Sequence, residues 1–163
     1  MTGTFRVEGI DHVELLVSNR QRAIDWYGEV FGLEMLDEFV KWVDTNGPVV
    51  LSSDDGETKL AVFEVEEDAA RRSDESTGSR FRRVAFGVSG DGFLTFLDRC
   101  DELELFDDDG ALLEELQVVD HELAFSTYFC DPFGNRLELT TYDYDQIADR
   151  SKMTQFRTDW QSN

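Results

Sequence analysis

The chain contains only two histidines, His12 and His121, among 36 acidic and 15 basic residues. Imidazole exchanges protons near neutral pH and is a common metal ligand. Carboxylates share that role for Zn, Fe, Ni, Co or Mn. His12 stands in Ile10-Asp11-His12-Val13-Glu14-Leu15. Two acids stand in matching settings, Glu64 in Phe63-Glu64-Val65 and Glu138 in Leu137-Glu138-Leu139. An acid between two apolar neighbours on a strand points away from the apolar face. Imidazole and carboxylates gathered at one place would hold a divalent metal and leave positions open for substrate oxygens. A guanidinium among them, such as that of Arg83, would instead form an ion-paired pocket.

These residues need elements that bring them together. In residues 7–18, Val13, Leu15 and Val17 alternate onto one face, and Ile10, His12 and Glu14 take the other. This predicts a strand with one apolar and one mixed face. Ser18 with Gln21 fits a capping box. Ala23, Trp26, Tyr27, Val30 and Phe31 follow at helical spacing, as core between helix and sheet, and Gly32 ends the helix. Strand-like runs follow near 34–44, 48–53 and 58–66, with turn residues at 44–48 and 53–56. Residues 67–79 are polar and without periodicity, a surface linker.

The same order then returns. Val84, Phe86 and Val88 fall where Val13, Leu15 and Val17 fell, and Gly90-Asp91 open a helix carrying Phe93, Phe96, Leu97 and Cys100. Strands are predicted near 112–119, 124–130 and 136–142, the last two joined by a tight turn at Asp131-Pro132-Phe133-Gly134-Asn135. The run Asp107-Asp108-Asp109-Gly110 lacks the alternating ligands of an EF-hand and reads as a solvated turn. The last twenty residues, from Asp143, are polar with a weak helical tendency, a docked or frayed tail. The expectation is an α+β fold of two tandem βαβββ modules, 7–66 and 81–142, forming a cup-shaped mixed sheet around a central cavity. The whole, 1–163, is read as one domain with a polar tail at 143–163. The repeat pairs His12 with Arg83 and Glu64 with Glu138, and a pseudo-twofold would turn all four toward the cavity.

Composition limits the partners. The net charge is −21, which disfavours nucleic acid, since a phosphate backbone needs positive potential. Only Lys41, Lys59 and Lys152 are lysines. A dispersed acidic surface poor in Lys resembles proteins of salt-loving microbes, in which salt screens self-repulsion. No apolar run is long enough to span a membrane and the polar N-terminus does not read as a signal peptide, so a cytoplasmic protein of a halophilic microbe is expected. Cys100 and Cys130 belong to no CxxC pattern and read as two thiols, with a disulfide left open.

With these residues in order, the chain resembles the vicinal oxygen chelate superfamily, which includes glyoxalase I, extradiol dioxygenases and fosfomycin- and bleomycin-resistance proteins. The resemblance runs from about 7 to 142. It is carried by Ile10-Asp11-His12-Val13-Glu14-Leu15, by the helix with Trp26-Tyr27 and Phe31-Gly32-Leu33, and by Tyr128-Phe129-Cys130-Asp131-Pro132-Phe133-Gly134-Asn135-Arg136-Leu137-Glu138-Leu139. It implies a divalent transition metal (Fe, Mn, Ni, Co or Zn) on His12, Glu138 and, as in glyoxalase-like members, Glu64. Members usually supply a second His where this chain has Arg83. In extradiol-type members a His and a Tyr before the Asp-Pro turn face substrate. That implies His121 as general acid or base and Tyr128 as donor to a substrate oxygen. Ser126 and Cys130 share the parity of Tyr128 and would line the same wall, Cys130 as packing rather than as nucleophile.

Two functions follow. One is a metal-dependent enzyme of the glyoxalase or extradiol dioxygenase type, chelating vicinal oxygens of a small substrate. The other is a metal-free protein that sequesters a small molecule, with Arg83 pairing Glu64 and Glu138 or binding an anionic substrate. A silent regulatory module is a third. The resemblance also implies a possible homodimer.

Overall fold

The computed structural model describes residues 9–43, 47–71 and 83–148. The chain divides into two compact units, Met1–Glu66 and Glu67–Asn163. Four expected segments lie outside the described residues: the start of the first strand at 7–8, part of the turn at 44–46, the linker and second-strand start at 72–82, and the tail from 149.

In the first unit, β1 (His12–Val17) leads into α1 (Arg20–Phe31), then β2 (Glu34–Met35), α2 (Val40–Val43), β3 (Val49–Ser52) and β4 (Lys59–Glu64). The sheet order is β1-β4-β3-β2, with β1 parallel to β4 and the other pairs antiparallel. A parallel pair needs a crossover, which α1 begins. Leu15 and Val17 are buried while His12 and Glu14 are exposed, as the alternation predicts. α1 buries Ala23, Trp26, Tyr27 and Val30. It ends at Gly32, whose φ of 66° is the left-handed conformation a glycine adopts without Cβ strain.

The second unit holds α3 (Glu67–Arg71), β5 (Val84–Gly87), α4 (Gly90–Arg99), β6 (Val118–Asp120), β7 (Phe125–Cys130), β8 (Arg136–Thr141) and α5 (Tyr144–Ala148). Its sheet order, β5-β8-β7-β6, repeats that of the first, again with the outer pair β5-β8 parallel. Phe96 of α4 stacks on Phe129 of β7 with centroids 5.5 Å apart. Leu137 and Leu139 are buried on that side, and Glu138 takes the other.

Several local expectations are corrected. The run 34–44 is not one strand: only Glu34 and Met35 pair with β3, and the chain then folds into a 3-10 turn (Asp37–Phe39) and α2. Leu36, Phe39 and Val43 are half-buried at helical spacing, which overrides the apparent alternation. The helix cap is Asn19, whose Oδ1 accepts from Arg22 N at 2.8 Å, not Ser18; Gln21 bonds Asp25 instead. The run 112–119 yields only β6. Residues 105–113 close on themselves, with Leu113 N donating to Leu105 O, before Phe106 bridges to Cys130. The linker begins with α3, which buries Ala70. The tail begins with α5, docked through a fully buried Ile147 and through Tyr144, which stacks on Phe125 at 4.8 Å.

The Asp-Pro turn is built as expected. Asp131 is buried, and its Oδ1 accepts from the amides of Phe133 (2.9 Å) and Asn135 (2.8 Å). Its Oδ2 accepts from Asn135 Nδ2 at 2.8 Å. Gly134, at φ 89°, completes the reversal.

Candidate functional site

Strand register decides which side chains share a face. In the second sheet Glu138 is level with Ala85 of β5 and Tyr128 of β7. Alternation then puts Ser126, Tyr128, Cys130, Arg136, Glu138 and Thr140 on one face, away from α4. Arg83, just before β5, joins them: its Nη1 is 3.8 Å from Glu138 Oε2, and its guanidinium lies 4.3 Å from the centre of the Tyr128 ring. The Tyr128 hydroxyl is 2.7 Å from His121 Nε2. Glu138, Arg83, Tyr128 and His121 thus form one connected polar series within the second unit. Ser126 shares their face but is buried, and its hydroxyl donates to Thr140 Oγ1 at 2.9 Å.

His121 is held by a strained hairpin. Its amide donates to Ala124 O, and Glu122 takes a left-handed φ of 66°. Asp120 Oδ1 accepts from Glu122 N at 2.7 Å, and Asp120 Oδ2 accepts from the Tyr144 hydroxyl at 3.0 Å. That carboxylate pushes the Tyr144 phenol above its ordinary pKa by bonding its neutral form.

A cavity of about 350 Å³ opens at one end of this face. Arg83, Tyr128, Cys130 and Arg136 line it from the sheet, and Phe106, Asp108 and Leu113 from the loop. Asp108 Oδ1 accepts from Arg136 Nε at 2.8 Å, and this bond holds the Asp108 carboxyl below its ordinary pKa. Burial, then the Asp108 charge, pushes the Cys130 thiol up to about 12, so it is a packing thiol and a poor nucleophile. Both cysteines are free.

The first unit places His12 and Glu64 apart. His12 is level with Lys59 and Glu64 with Val17, at opposite ends of the β1-β4 pair and about 16 Å apart at a strand's rise per residue. They also take opposite faces. Glu64 shares that of Leu15 and Val17, against α1, and lies 3.7 Å from Arg20 Nε of that helix. His12 Nδ1 bonds Asp11 Oδ1 at 2.7 Å, and Asp11 Oδ2 accepts from Lys59 Nζ at 2.9 Å. The Asp11 bond raises the His12 pKa above its ordinary value, with Glu14 adding to it.

Register also corrects the repeat. Val13 pairs with Leu60 as Val84 pairs with Leu137, so the first-unit counterpart of Glu138 is Ala61, not Glu64. The four matched positions therefore carry His12, Ala61, Arg83 and Glu138. A catalytic transition-metal site uses about three nitrogen, sulfur or oxygen ligands. Within the second unit the matched positions offer one carboxylate and one cation, short of that requirement. Within neither unit do the described residues gather three or more His, Cys, Asp or Glu side chains able to hold a metal.

Sequence reasoning missed Asp108, Arg136, Phe106 and Leu113 as cavity walls, and Asp120 and Tyr144 as supports of His121. Arg136 was open to detection, because it shares strand parity with Glu138. Asp108, Phe106 and Leu113 come to the cavity through closure of the 105–113 loop, and Tyr144 reaches Asp120 through the docking of α5.

Two four-stranded βαβββ sheets of identical order define a vicinal-oxygen-chelate fold. The chain belongs to the Glyoxalase/Bleomycin resistance protein/Dioxygenase superfamily, whose model matches residues 9–139. A glyoxalase/dioxygenase from Nostoc punctiforme is similar in structure, with TM-score 0.61 and 20% identity over 87% of this chain and 99% of that one. A fosfomycin resistance protein from Listeria monocytogenes has TM-score 0.60 and 13% identity over 87% and 99%. A glyoxalase family protein from Enterococcus faecalis has TM-score 0.54 and 26% identity over 82% and 97%. The first two likenesses establish fold alone. No curated protein matches the chain. Among the described residues no helix is long and apolar enough to cross a membrane.

Proposed function

We propose that the chain is a metal-free member of this superfamily that binds a small molecule bearing oxygen atoms against the polar sheet face of the second unit. Arg83 is the cation of this site. Tyr128 and His121 form a hydrogen-bonded pair through which a proton can reach or leave a ligand oxygen. The observation that carries this reading is the position of Arg83, between Glu138 and the Tyr128 ring. A guanidinium there supplies the positive charge that relatives obtain from a metal, and it occupies the carboxylate a metal would need.

Elemental analysis of protein purified without chelator tests the proposal. Less than a tenth of an equivalent of transition metal (an order-of-magnitude threshold of about 0.1) is expected, with no change on His12→Ala. About one bound equivalent, lost in that variant, would overturn it in favour of a metal-dependent glyoxalase- or dioxygenase-type enzyme.

A further inference from the structure

The short helix α5 ties the start of α4 to the turn that carries His121. This inference rests on the role given above to the His121–Tyr128 pair and deepens it. One side of α5 is fastened to the first turn of α4. Asp143, just before α5, accepts from Gly90 N through Oδ2 at 2.7 Å, which satisfies one of the amides that a helix start leaves without a partner. Gln146 Nε2 donates to Asp91 Oδ1 at 2.8 Å. Gly90 is buried beneath these two side chains. A Cβ there would stand 2.7 Å from Gln146 Oε1 and 3.0 Å from Asp143 Cβ, so only glycine admits this docking without displacement. Ile147, fully buried, anchors the same helix.

The other contact of α5 is Tyr144. Its ring lies flat on Phe125, and its hydroxyl donates to Asp120 Oδ2 at 3.0 Å. Asp120 is level with Phe125, so both side chains take the face of the sheet that packs on α4. Asp120 Oδ1 accepts from Glu122 N at 2.7 Å, and Glu122 is held at a φ of 66°. A residue with a Cβ keeps that conformation only where its surroundings fix it. His121 stands between these two anchored residues. Its imidazole is turned to the opposite face of the sheet, 2.7 Å from the Tyr128 hydroxyl.

We propose that α5 is a strap that positions His121. Tyr144, set in place by the docking of α5 on Gly90, fixes Asp120, and Asp120 fixes the turn that presents the imidazole to Tyr128. Tyr144 and Gly90 are positioning residues, acting from the α4 side of the sheet on a pair that lies on the other.

NMR of the ring nitrogens of His121 in the full chain tests this, since tautomer and hydrogen bonding move those signals and a mere loss of stability does not. The chain has only two histidines, so His12→Ala assigns both. Tyr128→Phe gives the signal of the broken pair. Tyr144→Phe keeps the ring on Phe125 but loses the bond to Asp120, and it should move the His121 Nε2 signal toward that of Tyr128→Phe. Gly90→Ala should move it the same way. Asp120→Ala should do so too, and adding Tyr144→Phe to it should produce no further displacement, because the two act through one bond. An unmoved His121 signal in Tyr144→Phe, or a full additional displacement in the double variant, overturns the inference; Tyr144→Phe decides it even if Gly90→Ala does not fold. Neither result touches the His121–Tyr128 pair itself. An unmoved signal in Tyr128→Phe is a different failure: it removes the pair, and the strap with it, while the metal-free reading fails only on the stoichiometric metal assay.

Discussion

The Tyr128 hydroxyl and His121 Nε2 lie 2.7 Å apart, although their strand positions are not level with one another. The contact is diagonal: the hairpin after β6 carries the imidazole back across β7 to the phenol. One partner must donate and the other accept, so the pair is a route for a single proton rather than two independent groups. Tyr128→Phe removes that bond and should lower stability by about 1 kcal/mol, the usual net worth of one such bond. Urea denaturation reads the loss, and the His121 ring shifts by NMR should move with it. Unchanged His121 shifts would show that the pair is not formed in solution.

The Asp131 turn is the most vulnerable polar element. Its buried carboxylate satisfies three N–H donors at once. Asp131→Ala strands those donors and should cost about 3 kcal/mol by denaturation, more than any exposed acid in the chain. A loss under about 1 kcal/mol would contradict this account of the turn.

The Asp11–His12 pair predicts a pH effect of defined sign. The His12 pKa is raised in the fold, chiefly by the hydrogen bond its imidazole donates to Asp11. Its stabilising contribution is therefore complete below the unfolded histidine pKa of about 6.5 and is lost as pH rises through the higher folded value. The Asp11 pKa is lowered, first by His12 and then by Lys59, so its contribution holds above the ordinary aspartate range and fades as pH falls through the lowered value. An NMR titration should find His12 above the ordinary histidine value, and Asp11→Asn should bring it down. An unchanged titration in that variant would exclude the hydrogen bond as the cause.

Glu64 is expected to be dispensable for ligand or metal binding. It lies on the helix-side face with Arg20, and its half-exposed ion pair is worth no more than about 1 kcal/mol. Glu64→Ala should leave small-molecule binding unchanged, whereas Arg83→Gln should weaken it. Equal losses from the two would revive Glu64 as a site residue.

The acidic charge predicts a response to salt. At a net charge of −21, screening should relieve self-repulsion, so the melting temperature should rise with added KCl. A flat or falling Tm would remove the charge-based argument for a high-salt cytoplasm.

How much of this was legible beforehand differs from residue to residue. Local chemistry was enough for α1 and its Gly32 stop, for the alternation of Val13, Leu15 and Val17, for the Asp131 turn, and for the repeat that led to the family. Each rests on side chains near one another in the chain, where periodicity and conformational preference act directly. The strand expected at 34–44 stops after Met35 because Leu36, Phe39 and Val43 repeat at helical rather than strand spacing, and the chain turns into a 3-10 turn and α2. Glu64 and Glu138 looked equivalent because both sit between apolar neighbours. Register is a long-range property, set by which strand each one pairs with, and it assigned Ala61 to the place expected for Glu64. The sequence by itself therefore determined the two βαβββ units and the candidate groups His12, Arg83, His121, Tyr128 and Glu138. Only the tertiary structure decided that Arg83 lies over the Tyr128 ring beside Glu138, that His121 reaches Tyr128, and that the 105–113 loop walls a cavity next to them. Apart from His121 and Tyr128, which are seven residues apart across a hairpin, those contacts join residues distant in the chain, and backbone pairing and loop closure, not local preference, bring them within reach.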